Sequence, residues 1–281
     1  MSAYKSFAVV GGGTVGLPIV NALAAKNVPV ILLSRPNSSA KTVPEGVKVI
    51  TVDLADADAV AKVLKEHSVD VVISTVTTAA VSGQKALIDA AKLATVKLFV
   101  PSEFGHPTDG HTHGPLGEKA EIGKYLKSVG IPSTRIYTGP FVQFVPWLIG
   151  TEGKFQIIGK GDTPFSVTSI PDIAGFVAHI LTTAPPSELE NRILRLQGDR
   201  PTLNGIAAQF KATPVYVDKI TGRGELDGFL TGLFVAIEEG AGSTGWVFDK
   251  KAEGTGSEAA GSANALWPGH HWQTIKDVHN V

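Results

Sequence analysis

Six short runs of near-continuous apolar, largely β-branched residues alternate with amphipathic stretches along the first half of the chain. The runs are SFAVVG (6–11), VPVILLSR (28–35), VKVITVD (47–53), VDVVISTV (69–76), VKLFVP (96–101) and GIPSTRIY (130–137). Between them TVGLPIVNALAAKN (14–27), DADAVAKVLKEHS, GQKALIDAAKLA and GEKAEIGKYLKSV carry apolar residues at helical spacing. A strand that is apolar on both faces needs cover on both, and a parallel sheet with crossover helices supplies it. The expected fold class is therefore α/β, a doubly wound parallel sheet with a smaller, irregular C-terminal lobe.

The second half is less periodic. SIPDIAGFVAHILTT (169–183) reads as a helix, NRILRLQG (191–198) as a strand, and TLNGIAAQFKAT (202–213) as a helix capped by Thr202. Residues 239–262 are rich in Gly, Ser, Ala and Glu and read as an irregular loop, and ALWPGHHWQTIKDVHNV reads as a docked final helix. Residues 1–140 are expected to form the nucleotide-binding domain. Residues 141–281 are expected to form mainly the substrate lobe, with about 165–200 returning to the sheet.

Composition removes several function classes. Lys+Arg number 25 against Asp+Glu 26, so the basic excess of a general nucleic-acid binder is missing. No cysteine is present, which excludes thiol chemistry and zinc-thiolate sites. No apolar run approaches the roughly 18 residues of a membrane span, and MSAYKSFAVVGGG lacks the apolar core of a signal peptide. A cytoplasmic monomer or homodimer acting on a small molecule is expected.

Directly after the first run stands Gly11-Gly12-Gly13-Thr14-Val15-Gly16, a GxGxxG that opens a helix. Glycines there let the backbone approach a diphosphate, which the helix N-terminus then holds. In its strand–turn–helix setting the motif predicts a Rossmann dinucleotide site that includes Thr14 and Val15. The second run ends Leu33-Ser34-Arg35-Pro36, with no carboxylate before Glu45 and with Arg35 and Lys41 cationic. An acid at this place selects NAD through the ribose 2′-OH, whereas a guanidinium suits a 2′-phosphate. The cofactor is predicted to be NADP(H), with Ser34 and Arg35 at the 2′-phosphate. Thr75 and Val76, at the end of the fourth run, are expected beside the cofactor backbone.

The Tyr-x-x-x-Lys pair of most short-chain reductases is missing: the fourth residues after the tyrosines are Ala8, Val129, Phe141 and Ile220. A proton for hydride transfer must come from elsewhere. Lys119 and Lys124 follow a histidine-bearing loop. A lysine near the positive end of a helix, beside a cationic nicotinamide, has a lowered pKa suited to acid–base work. A lysine on a solvated helix face is the ordinary alternative.

The run KLFVPSEFG, followed by EKAEIGKYLKSVGIP, resembles the isoflavone reductase-like (NmrA-like) branch of the atypical short-chain dehydrogenases. The likeness extends through GGGTVG, Arg35, SIPDIAGFVAHIL and LWPGHHW. It implies that PSEFG lies at the cofactor cleft and that Lys119, about eleven residues before Gly130-Ile131-Pro132, is the catalytic lysine and touches the cofactor. It also implies that Gly139, Pro140 and Phe141 meet the nicotinamide and that Phe104, Phe144 and Trp147 approach substrate. His106 is a candidate substrate contact as a member of the first histidine cluster, whose loop HPTDGHTHGP departs from the family's plant sequences. The implied activity is NADPH-dependent reduction of a small aromatic or conjugated molecule. Two other readings stand beside it, a non-catalytic NADP(H)-binding redox sensor and an NADPH quinone reductase. His106, His111, His113, His270 and His271 sit in Gly- and Pro-rich loops without the three or four fixed ligands of a metal site, so no metal is expected.

Overall fold

The computed structural model describes residues 4–36, 38–39, 41–150 and 153–281. Two compact units emerge, each assembled from separate stretches of chain. The first holds residues up to Glu103 together with Gly110–Ile136 and Ile173–Leu194. The second holds Phe104–Asp109, Tyr137–Asp172 and Arg195–Val281.

The first unit opens with β1 (Phe7–Val10), α1 (Gly16–Ala24), β2 (Val30–Ser34), β3 (Lys48–Thr51), α2 (Ala57–Glu66) and β4 (Val71–Ser74). It continues with α3 (Gln84–Leu93), β5 (Leu98–Val100) and α4 (Gly114–Val129). Strands β3-β2-β1-β4-β5 form one five-stranded sheet in that order, with every pairing parallel. This is the doubly wound arrangement expected from the alternating runs. Successive side chains on a strand point to opposite faces. Ala8, Val10, Ile31, Leu33 and Val72 pack with α2, α3 and α4 through Val60, Leu64, Leu87, Ile88, Ile122 and Leu126. Phe7, Val9, Leu32 and Ile73, which point the other way, are just as buried. Only the edge strand β3 is largely exposed.

The sixth run does not extend that sheet as a full strand. It forms β6 (Thr134–Tyr137), joined to β5 by a single parallel bridge between Phe99 and Ser133. Pro132 has no N–H to give, so only its carbonyl takes part, accepting from Phe99 N at 2.9 Å.

Further along lie α5 (Val145–Ile149), β7 (Lys154–Ile157), α6 (Ile170–Thr183), α7 (Pro186–Leu189) and β8 (Arg192–Arg195). Strand β6 pairs with β8. After them come α8 (Leu203–Gln209), β9 (Thr213–Tyr216), α9 (Asp227–Glu238), β10 (Trp246–Val247), β11 (Ala252–Glu253) and α10 (Ile275–His279). Thr202 caps α8 as expected, its side chain accepting from Gly205 N. The second unit has its own core, built on Phe155, Ile157, Phe165, Leu203, Ile206, Leu230, Phe234 and Ile275. Strands β7 and β9 pair in parallel, which the sequence pattern did not announce. The stretch 239–262 is mostly irregular, broken by a hairpin of two short strands, β10 and β11, and by 3₁₀ turns at Phe248–Lys250 and Gly256–Glu258.

Candidate active site

The glycine turn is held by main-chain and hydroxyl contacts at the carboxyl ends of β1 and β4. Gly11 takes φ +94°, a left-handed conformation that glycine adopts without strain. Its N–H donates to Leu33 O at 3.0 Å. The Thr75 hydroxyl is shared between Val10 O (3.0 Å) and Gly11 O (2.7 Å). Gly16 opens α1 where a β-carbon would overlap both the Gly11 carbonyl oxygen and the Thr75 hydroxyl. At Gly13, by contrast, a β-carbon would meet nothing within 4 Å. One glycine is needed for packing; the other faces open space. Helix α1 begins with no side-chain cap and no acidic residue in its first turn, which suits an anion at its positive end. Within that turn Leu17 N already donates to Gly13 O at 3.2 Å, and Pro18 has no N–H.

Above this turn lies a cleft of about 810 Å³, lined by Gly11, Gly12, Gly13, Ser34, Arg35, Thr75 and Val76. Of the residues predicted to meet the cofactor, Gly11, Gly13, Ser34, Arg35, Thr75 and Val76 line this cleft, and Thr14, Val15 and Gly16 form the turn itself. The sequence reading left out of the site several other residues of the same wall, namely Ser38, Ser39, Lys41, Asp53 and Lys85. The Lys41 stem lies against Gly12, and its ammonium donates to Ser39 Oγ at 3.1 Å. A second cation six residues after Arg35, with serines between, was the available signal. The donor set fits a nucleotide bearing a 2′-phosphate: a capless helix end for the diphosphate, and Arg35 and Lys41 for the extra charge.

The PSEFG loop answers for the odd ending of β5. Ser102 N donates to Gln84 Oε1 at 2.8 Å, and Ser102 Oγ donates to Val76 O at 2.8 Å. The loop is thereby tied to the residue at the cleft wall. Glu103 is buried and meets Arg135 Nε through Oε1 at 2.7 Å. Its main-chain carbonyl accepts the Lys119 ammonium. Phe104, next in the chain, is buried with φ +33°, a costly conformation for an aromatic residue that persists only where its surroundings impose it.

Lys119 sits half-buried in the second turn of α4. Burial is the main reason its pKa lies below the usual lysine value, and the Glu103 carboxylate acts in the opposite direction. The sequence reading assigned the lowering to a helix terminus; desolvation is the larger cause. Lys119 does not line the nucleotide cleft. Lys124 is exposed and pairs with Glu121 at 2.6 Å, the ordinary fate of a helix-face lysine.

In the second unit, Thr138 N and Gly139 N both donate to Gly105 O, at 2.9 and 3.0 Å. Gly139 has φ +64°, and a β-carbon there would strike Ser166 O. Phe141 and Phe144 stack obliquely with ring centroids 5.9 Å apart. Phe144 is 47% and Trp147 40% exposed, so neither ring is core. Pro140 and His106 are half-buried. His270 has a structural partner: its Nε2 meets Asp172 Oδ1 at 2.8 Å, and its ring stacks on Trp267 at 3.6 Å. Among the described residues, no group of three or more His, Cys, Asp or Glu is placed to hold a metal ion, and no helix is long and apolar enough to cross a membrane.

The sequence profile of the NmrA-like family matches residues 4–219. The chain belongs to the NmrA-like family. Among curated proteins it is 32% identical over 230 residues to an isoflavone reductase homolog of Arabidopsis thaliana, covering 73% of each chain. It is 32% identical over 198 residues to a leucoanthocyanidin reductase of Desmodium uncinatum, covering 63% of this chain. That match spans about half, 52%, of the relative's length. Among solved structures, leucoanthocyanidin reductase from Vitis vinifera in complex with NADPH superposes with a TM-score of 0.79 at 21% identity, covering 98% of both chains. At that identity the likeness is one of fold.

Proposed function

We propose that this NmrA-like chain is an NADP(H)-dependent reductase of small aromatic or conjugated molecules, with Lys119 as its acid–base group. Its named relatives include a leucoanthocyanidin reductase and an isoflavone reductase homolog, and it shares the fold of a protein solved with NADPH. The observation that carries the reading is Lys119: a half-buried amine with a lowered pKa, held to the carbonyl of a loop that is itself fastened to the cleft wall at Val76. A solvated lysine has none of these features.

In this reading the turn Gly11–Gly16 and the start of α1 hold the diphosphate, and Arg35 with Lys41 holds the 2′-phosphate. Bound dinucleotide supplies the hydride. The Lys119 ammonium gives a proton to the substrate atom that gains negative charge, or stabilises that charge in place. A lowered pKa eases both the donation and the recovery of the proton from water. The exposed rings Phe144 and Trp147, with Phe104, His106 and Phe141, are the proposed aromatic contacts of the second unit.

Calorimetric titration of the cofactor-free protein with NADPH and NADH tests the cofactor assignment. Arg35→Ala is expected to weaken NADPH by about tenfold or more, the value of one charge-assisted contact, and to leave NADH unchanged. An unchanged NADPH/NADH preference would refute the role of Arg35. Lys119→Ala is expected to lower kcat by roughly 10²–10⁴-fold on a true substrate. Binding of NADPH without turnover of any reducible aromatic would favour the sensor reading instead.

A further inference from the structure

Glu103 and Arg135 form a buried ion pair, 2% and 5% exposed. Such a pair is a poor route to stability, because well-packed apolar residues of like volume usually serve as well or better. Its location suggests another reason for it. Lys119 and Gly123 are one turn apart on α4 and therefore share a face. A β-carbon at Gly123 would stand 3.1 Å from Arg135 Cζ and 3.3 Å from its Nε and Nη1. The guanidinium therefore rests on bare helix backbone, closer than a β-carbon there would leave it without a shift of a few tenths of an ångström. From that seat Arg135 Nε reaches Glu103 Oε1 at 2.7 Å, and the carbonyl of the same Glu103 receives Lys119 Nζ.

We propose that Arg135 and Glu103 are positioning residues for Lys119: the guanidinium seated on Gly123 anchors Glu103, and Glu103 fixes both the carbonyl that aims the Lys119 amine and the charge that the amine senses. This rests on the catalytic reading of Lys119 only for its effect on turnover. The remaining charged groups on this part of α4, Glu118, Glu121 and Lys124, are exposed, and the carboxylate that bears on Lys119 is that of Glu103.

The test is the rate at which acetic anhydride modifies Lys119 at fixed pH, read by peptide mass spectrometry. Glu103→Gln removes the carboxylate charge, keeps the guanidinium and so favours the neutral amine; labelling is expected to speed up several-fold, a tenfold change corresponding to one pKa unit. Arg135→Met removes the guanidinium charge and keeps the Glu103 carboxylate, which favours the charged amine, so labelling is expected to slow. Simple loosening of the loop would speed both. Equal or same-sign changes therefore overturn the proposal. Where a single variant does not fold, the double variant Glu103→Gln/Arg135→Met, which buries no charge, is the substitute. It is expected to label near the wild-type rate but to lose kcat without change in NADPH affinity, and wild-type kcat in it overturns the positioning role. Lys119→Ala, run beside these, separates the two claims. Full turnover in that variant refutes catalysis by Lys119, while opposite labelling signs would still uphold the pair.

Discussion

Gly16 and Gly13 stand three residues apart in one motif, yet the structure gives them different tasks, and alanine at each separates these tasks. At Gly16 the added methyl meets a main-chain carbonyl, Gly11 O, which cannot swing aside as a side-chain tip would. Helix α1 must move outward, an overpacking cost of about 3 kcal/mol at the upper end of the usual range. The Thr75 hydroxyl, now 2.7 Å from Gly11 O, loses that partner, adding about 1 kcal/mol. Better helix propensity returns up to about 1 kcal/mol. The balance is near 3 kcal/mol of lost stability, a fall in Tm of roughly 6–12 °C at 2–4 °C per kcal/mol. Gly13→Ala adds its methyl to open space, so its stability should stay within about 0.5 kcal/mol of wild type. In the proposed site its methyl enters the volume given to the diphosphate, and NADPH affinity should fall about tenfold or more, near 1.4 kcal/mol. Thermal unfolding without ligand and calorimetric titration with NADPH, run on both variants, read the two effects. An unshifted Tm for Gly16→Ala would refute the packing assignment. Gly13→Ala binding NADPH as tightly as wild type would place the diphosphate elsewhere.

Three further outcomes are expected. Lys119→Met should unfold at a higher temperature than wild type at pH 7. The folded-state pKa of Lys119 lies below its ordinary 10.5, so the unfolded chain holds the extra proton between the two values and wild-type stability rises with pH across that window. The advantage of Met should therefore shrink as pH approaches 10.5; an advantage constant with pH would contradict the burial explanation. Asp172→Ala removes the acceptor of both His270 Nε2 (2.8 Å) and Gln273 N (2.8 Å), and should cost about 2–4 kcal/mol and expose the segment after Trp267 to limited proteolysis. Protease resistance equal to wild type would show that the segment is held by other contacts. Gly139→Ala combines a left-handed φ of +64°, strained for alanine, with a clash against Ser166 O and should reduce soluble yield or Tm sharply, which circular dichroism melting would read.

The five-stranded sheet was legible because β1, β2, β4 and β5 are buried on both faces, and such strands leave an unbroken apolar run. The glycine turn was legible because its chemistry is local. The pairing of β7 with β9 was not: TPVY carries a proline and is exposed throughout, and its partner KFQI lies far away in sequence. Nor did the sequence mark what Arg135 does: GIPSTRIY reads as a strand like the other five, and nothing in the run says where its one charged side chain goes. Its burial depends on Gly123 and Glu103, from two other elements. The lock between Asp172 and His270 spans 98 residues and has no local signature. Lys119 was found through motif likeness rather than spacing, because desolvation is a property of packing.

The chain passes from one compact unit to the other after residues 103, 109, 136, 172 and 194. No single cut yields either unit whole. A fragment ending near residue 140 would lack Ile173–Leu194 and with it β8, the partner of β6. A lineage exchanging only the second unit by recombination would have to join the parental genes at all five boundaries at once. New specificities on this scaffold are therefore expected to arise by point substitution and loop-length change within a chain inherited intact.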